Sequence, residues 1–351
     1  MFASSPLNSN SPGRLIAGSI AIMCAALNSA VGNPSKLTNL APAIVEGRWL
    51  RPDAKGLASA RWGHAEGLQV GIAPLPGPRG LLRIYAPYLN QPERVMINFI
   101  AIEPIARGAE ERGLSELEHS ELDDVRGKRF WSADDLSDST PRQPQQPARG
   151  VLESVDGVEW LRVFILAEPF ENGAHVAVRL TFRADRPHAV GLATFTHEDS
   201  AELSHCIVTA TMGNYARLRE LHLADRIVTP SELWPDYNGN EFTPHARLPL
   251  AELKRNSEGD AFVVATPNEP EPQQADYALG ARRHWRYQGQ VARQRWQVAD
   301  PDPKLEALVN GRRVYWGSRS PIPGGVSFEN FEMVAPFEQG GEFWFSVEPM
   351  E

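Results

Sequence analysis

The nonapeptide HVAVRLTFR, residues 175–183, alternates along its whole length. Val176, Val178, Leu180 and Phe182 fall on one side, and His175, Arg179, Thr181 and Arg183 on the other. That period of two marks a half-buried antiparallel strand. The same signal recurs outward from it, as short runs rich in β-branched and aromatic residues between Gly, Pro, Asn or Asp. Upstream lie GLQVGI (67–72), GLLRIYA (80–86), RVMINFIAIE (94–103) and GVEWLRVFILAE (157–168). Downstream lie HAVGLATFT (188–196), CIVTATM (206–212), YARLRELHL (215–223), AFVVA (261–265), RRHWRYQGQVARQRWQV (282–298), RRVYWG (312–317), FENFEMVA (328–335) and EFWFSVE (342–348). The run at 157–168 is apolar on both faces, which predicts a central strand covered on both sides.

Helical signals are few. SELEHSELDD (115–124) opens on Ser115 with Glu118 three residues later, the pattern of a capped helix, and LPLAELKR (248–255) fits one or two turns. Many strands with almost no helix between them predict an all-β chain of antiparallel sheets, a β-sandwich of jelly-roll type rather than a βαβ fold. Two polar breaks, 132–150 and 267–276, are rich in Pro, Gln, Asp or Glu and read as loops within one continuous sandwich.

The 351 residues are 42% hydrophobic and 23% charged, within the range of a folded globular protein. Gly 28 and Pro 29 punctuate the chain often, so its elements should be short. A net charge of −9 argues against nucleic acid as a partner.

The N-terminus carries one cation, Arg14, then the apolar run LIAGSIAIMCAAL (15–27) and the small residues NSAVG. These are the three parts of a secretory signal peptide, with cleavage near Ala30 or Gly32. The run is shorter than the roughly 20 residues a membrane span needs. The expectation is a leader over 1–32 and a mature chain over 33–351, secreted or periplasmic and without a membrane partner after cleavage. Cys24 would leave with the leader. Cys206, in the apolar CIVTA, reads as a small core residue.

Several chemistries lack their signatures. GAEERGLS (108–115) has the glycine spacing of a phosphate loop without its lysine, and Gly-x-Ser-x-Gly, His-Glu-x-x-His and Cys-x-x-Cys do not occur in the mature chain. In WPDYNGNEF, Asp236, Asn238 and Asn240 alternate as oxygen ligands for calcium would. An Asx-stabilised turn accounts for them as well.

The densest polar constellation runs from Phe195 to His222. His197, Glu198 and Asp199 stand at a strand end, His205 follows, and Tyr215, Arg217 and Arg219 alternate along one face of the next strand. Arg282, His284 and Arg286 form a second row. Such rows are ordinary on a solvated sheet face. They also suit a linear acidic polysaccharide, because arginine grips carboxylates with a planar fork. The sharpest expectation is a polysaccharide lyase acting on a uronate chain by proton abstraction and β-elimination. Arg217 and Arg219 would neutralise the carboxylate, with Arg282, His284 and Arg286 also contacting substrate. His197 or His205 would be the base, and Tyr215 the acid or base. A glycoside hydrolase using Glu103, Glu198 or Asp199 is one alternative. A non-catalytic carbohydrate-binding protein using Trp62, Trp234, Trp285 or Trp316 is the other.

Overall fold

The computed structural model describes residues 42–350 apart from 54–57, 73–78, 87–94, 139, 142–145, 212–216, 269–290 and 315–320. The expected leader therefore lies outside the described residues, as does most of the 267–276 break. The chain is nearly all β, in two large antiparallel sheets, as the alternating segments predict.

The first sheet begins as a meander of β1 (Ile44–Glu46), β2 (Trp49–Arg51), β3 (Arg61–His64), β4 (Gln69–Gly71), β5 (Leu81–Ala86) and β6 (Val95–Ala106). It continues through β12 (Leu203–Thr211), β20 (Ser327–Val334), β19 (Glu306–Arg312) and β15 (Ala246–Pro249). The second sheet runs β14 (Ile227–Val228), β13 (Leu218–His222), β17 (Ala261–Pro267), β18 (Ala292–Val298), β21 (Glu342–Pro349), β11 (Ala189–Thr196), β10 (Val176–Arg183), β9 (Val158–Ala167) and β7 (Phe130–Ala133). Short β8 (Val151–Val155) and β16 (Lys254–Arg255) flank β9 and β17.

One core cluster takes side chains from both sheets, among them Trp62, Ile84, Ile102 and Phe331 from the first and Val178, Leu192, Trp296 and Phe345 from the second. On β10, Val176, Val178, Leu180 and Phe182 are fully buried in that core while Arg179 and Arg183 stay half-buried outside, so the alternation holds in facing, although Ala177 and Thr181 are covered on the outer side too.

β9 departs from expectation. It lies beside the sheet margin, paired with β10 on one side and with β7 and β8 on the other. Leu161, Val163 and Ile165 face the core, but Trp160, Arg162 and Phe164 are half-exposed on the outer face. Trp160 lies under the Arg162 and Arg183 guanidiniums, while Phe164 packs against a small second cluster of Trp131, Ala133, Leu166 and Ala177.

SELEHSELDD forms turns rather than a helix. Ser115 is engaged elsewhere: its hydroxyl accepts from Ile102 N–H at 2.9 Å and donates to the Gly80 carbonyl at 2.6 Å. The segment therefore continues the sheet beside β6 where β5 ends. Gly80, at φ +69, leaves the space that Ser115 fills. The helix that does form, α1 (Pro230–Leu233), is one turn with a capping box between Thr229 and Glu232. LPLAELKR supplies a single 3-10 turn, Leu250–Glu252.

Candidate functional site

The outer face of the second sheet is built from the residues that alternate with its core positions. On β21, Phe343, Phe345 and Val347 face inward, so Glu342, Trp344, Ser346 and Glu348 face out. On β18, Trp296 is inward and Arg293, Arg295 and Gln297 outward. Phe262 of β17 sits opposite Gln297 on that same face.

Arginines lie on aromatic rings across this face. Arg162 and Arg183 stack on Trp160 at 4.6 and 5.1 Å, Arg179 on Phe195 at 5.5 Å, Arg186 on Trp344 at 5.1 Å, and Arg295 on Phe262 at 4.2 Å. A stacked guanidinium keeps its in-plane N–H donors directed away from the ring, where they meet carboxylates edge-on. Most of these forks are occupied. Arg162 pairs with Glu153, Arg183 with Asp185 at 2.7 Å, and Arg179 with Glu342 at 3.3 Å.

Arg186 and Arg295 differ: among the described residues neither has a carboxylate within ion-pair distance. They lie close enough to repel. Burial draws the Arg295 guanidinium below the usual arginine value, and Arg293 and Arg186 add to this against the pull of Glu348 and Asp260. It nevertheless remains a cation. Glu348 is held by Arg293 at 2.8 Å and by the Ser346 hydroxyl at 2.8 Å. It also opposes the burial that lowers the His188 pKa, so His188 is a neutral imidazole at neutral pH. Arg186, His188, Arg295, Trp344 and Phe262 thus form one basic and aromatic constellation around Glu348.

Beside it β11 turns Ala189, Gly191 and Ala193 to the outer side, where neighbouring side chains cover them. A Cβ at Gly191 would stand 3.1 Å from the Trp344 ring and 2.8 Å from the Glu342 carboxyl carbon. The glycine lets both side chains lean over β11.

The described residues among those singled out in the sequence do not converge on one site. His197 lies on this outer face at its far end, against His175 with ring centroids 4.1 Å apart, and His175 Nδ1 is 2.7 Å from Asp199. Burial first, then His175, lower the His197 pKa against Asp199, but its Nε2 is covered and has no hydrogen-bond partner among the described residues. A covered nitrogen does not reach a substrate proton. Glu198 is exposed beside it. His205 lies on the other sheet, next to core-facing Cys206, where burial and then Arg112 lower its pKa.

Arg217 and Arg219 do not line an open face. Arg217 precedes β13 at φ +49, and a register shift follows Leu218. Both arginines are buried, and Arg219 binds the carbonyls of Pro323, Val326 (3.2 Å) and Gly325 (3.5 Å). It pins a loop of the first sheet to β13. Tyr215, Arg282, His284 and Arg286 lie outside the described residues, as do Trp285 and Trp316. Trp62 is a core residue that donates to the Ala148 carbonyl at 3.0 Å, and Trp234 packs edge-on against Phe328. Asp236 and Asn238 are exposed, while Asn240 Oδ1 accepts from Arg313 at 3.3 Å, a cation where a calcium would need room.

Glu103 is central to a different network. It and Glu332 are 2% and 0% exposed and share one nitrogen of Arg112, at 2.6 and 2.9 Å. His245 approaches Glu332 at 3.4 Å. Both carboxylates are buried, so neither reaches a substrate as a hydrolase pair would have to.

Sequence reasoning missed Trp160, Arg186, His188, Trp344 and Phe262 as a group, because only the strand register brings them together. No protein-family model, curated protein or solved structure matches this chain.

Proposed function

We propose that the protein binds an acidic polysaccharide on the outer face of the second sheet and cleaves it by β-elimination. The observation that carries this reading is the pair Arg186 and Arg295, stacked on Trp344 and Phe262 without carboxylate partners of their own among the described residues. The terminal nitrogens of Arg186 and Arg295 suit a uronate carboxylate, the Arg295 Nε being covered.

Elimination needs that carboxylate neutralised, so that charge developing on the adjacent carbon is stabilised. Arg186 and Arg295 supply the neutralisation. His188, held neutral by burial, takes the proton next to the carboxylate. The electrons of that C–H bond form the new carbon–carbon double bond, the bond to the linking sugar oxygen breaks, and the imidazolium returns its proton to that oxygen. The N-terminal leader reading fits the same proposal, since an exported protein would meet such polymers outside the cytoplasm.

A panel of uronate polymers tests it. The expected product is an unsaturated uronate, seen as rising ultraviolet absorbance; His188→Gln should abolish it and keep binding, while Arg295→Ala should weaken binding about tenfold to a hundredfold, the worth of a charge-assisted hydrogen bond. A second reading, a non-catalytic binder, is favoured by the covered Nε2 of His197, and retarded migration in a polysaccharide gel without product would establish it. New reducing ends without the absorbance would point to hydrolysis instead.

A further inference from the structure

We propose that the polysaccharide is held by its end: a terminal uronate seats at Arg186 and Arg295, the chain leaves toward Lys254, and each cut releases a single sugar. This rests on the reading of that face as an acidic-polysaccharide site, and adds which part of the polymer the site takes.

The face is closed on one side of Trp344. Thr181 and Gly191 are buried there, and the Glu342 carboxylate lies over both. That carboxylate accepts from the Thr181 hydroxyl at 2.9 Å and from Arg179 at 3.3 Å, which fixes it in place. A polyanion reaching β11 therefore meets a fixed negative charge over a covered floor. Ser346 opens no way round, because it is buried and its hydroxyl is donated to Glu348.

On the other side of Trp344 the face stays open. Trp344 pairs with Gln297, Gln297 with Phe262, and Phe262 with Lys254, across β21, β18, β17 and β16. Arg295 and Val264 pair in the adjoining row. None of these six residues is buried. Gln297 is bonded to Asp260 and serves as floor. At about 4.8 Å per strand, Trp344 and Lys254 stand roughly 14 Å apart.

Arg186, Arg295 and Lys254 stand along this open half, and among the described residues none has a carboxylate within ion-pair distance. Past Lys254 the charge reverses: Glu220 lies 3.8 Å from His222, and Asp225 lines a pocket with His222 and Lys254. The cationic stretch is thus short, and it is stopped at Glu342. A chain fits it only with an end against that stop.

The uronate at Arg186 and Arg295 is the one beside His188, so the terminal sugar is the one that reacts. Its C–H proton passes through the imidazole to the linking oxygen, the carbon–carbon double bond forms within it, and its bond to the next sugar breaks. It leaves as an unsaturated monouronate, and the shortened chain keeps a saturated end.

Mass spectrometry of the first products tests this. A saturated oligouronide of defined length should yield unsaturated monouronate and a saturated oligomer one sugar shorter, while Glu342→Ala should add unsaturated products of mixed length. In a His188→Gln background, sedimentation with polymers of increasing length should load one protein per chain. Lys254→Ala in that background, with an unchanged melting temperature, should weaken the trimer about tenfold and leave the monouronate unaffected. Mixed unsaturated lengths from the unaltered protein, or several proteins on one chain, overturn binding by the end alone. An unchanged product pattern in Glu342→Ala overturns it as well, because the stop would lie elsewhere. Failure of every oligomer and polymer to bind or react overturns the polysaccharide reading of the face itself.

Discussion

Cys206 lies on the core side of β12, 7% exposed, and burial pushes its thiol up to about 12. The thiolate is the reactive form. A thiol reagent should therefore label it slowly in the native protein and rapidly in denaturant, and fast native labelling would contradict its place in the core. Glu116 is a partly buried acid. Burial, then Glu103 nearby, raise it to about 8 from the ordinary 4.5. The folded chain holds this proton where the unfolded chain has released it, so the contribution is complete below about pH 4.5 and is lost as pH rises to 8. Denaturation midpoints should fall across that window, and Glu116→Gln should flatten the fall. Arg112 carries the opposite duty. Its removal would strand two buried carboxylates, so Arg112→Ala should cost about 3–5 kcal/mol in urea unfolding. Arg219→Ala should also register as lost stability, because its guanidinium serves three backbone carbonyls of the opposing sheet.

At the scale of the strand, β10 was legible from its amino acids alone, because one face is wholly apolar and the other, Ala177 apart, is polar. β1, β2 and β14 are too short, at three, three and two residues, to display any period. β13 was legible as a strand but not in its facing. A register shift after Leu218 breaks the alternation by which Arg217 and Arg219 would share a surface, and a bulge of this kind leaves no compositional trace. The helix expected at 115–124 failed for a similar reason. Ser115 would cap a helix, but β6 and Gly80 claim its hydroxyl through contacts no local pattern encodes. The stacks on the outer face are cross-strand too: Arg183 and Trp160 are neighbours through pairing, not through sequence. Gly191 is the element-level test of that face. Gly191→Val should displace Trp344 and lower polysaccharide affinity, while the added strand propensity keeps the stability change within about 1 kcal/mol. An unchanged affinity would show that Trp344 need not lean over β11.

The whole molecule bears a net charge of −9, yet the proposed ligand is itself an anion. Attraction is confined to the arginines, and repulsion acts over longer distances. Between about 0.01 and 0.1 M salt the screening length shortens from about 30 to about 10 Å, so the long-range repulsion is lost first. Association measured by stopped flow should accelerate over that range, and a monotonic slowing would mean that the local field prevails. The two broad sheets also end gently. Among the described residues the margins are β1 with three residues and β15 with four in the first sheet, and β14 with two, β7 with four and β8 with five in the second, so each bare edge is short. A second molecule arriving in solution finds only short stretches there to zip onto, so light scattering of concentrated protein should show no fibres, and fibre growth would mean that one of these edges pairs between molecules.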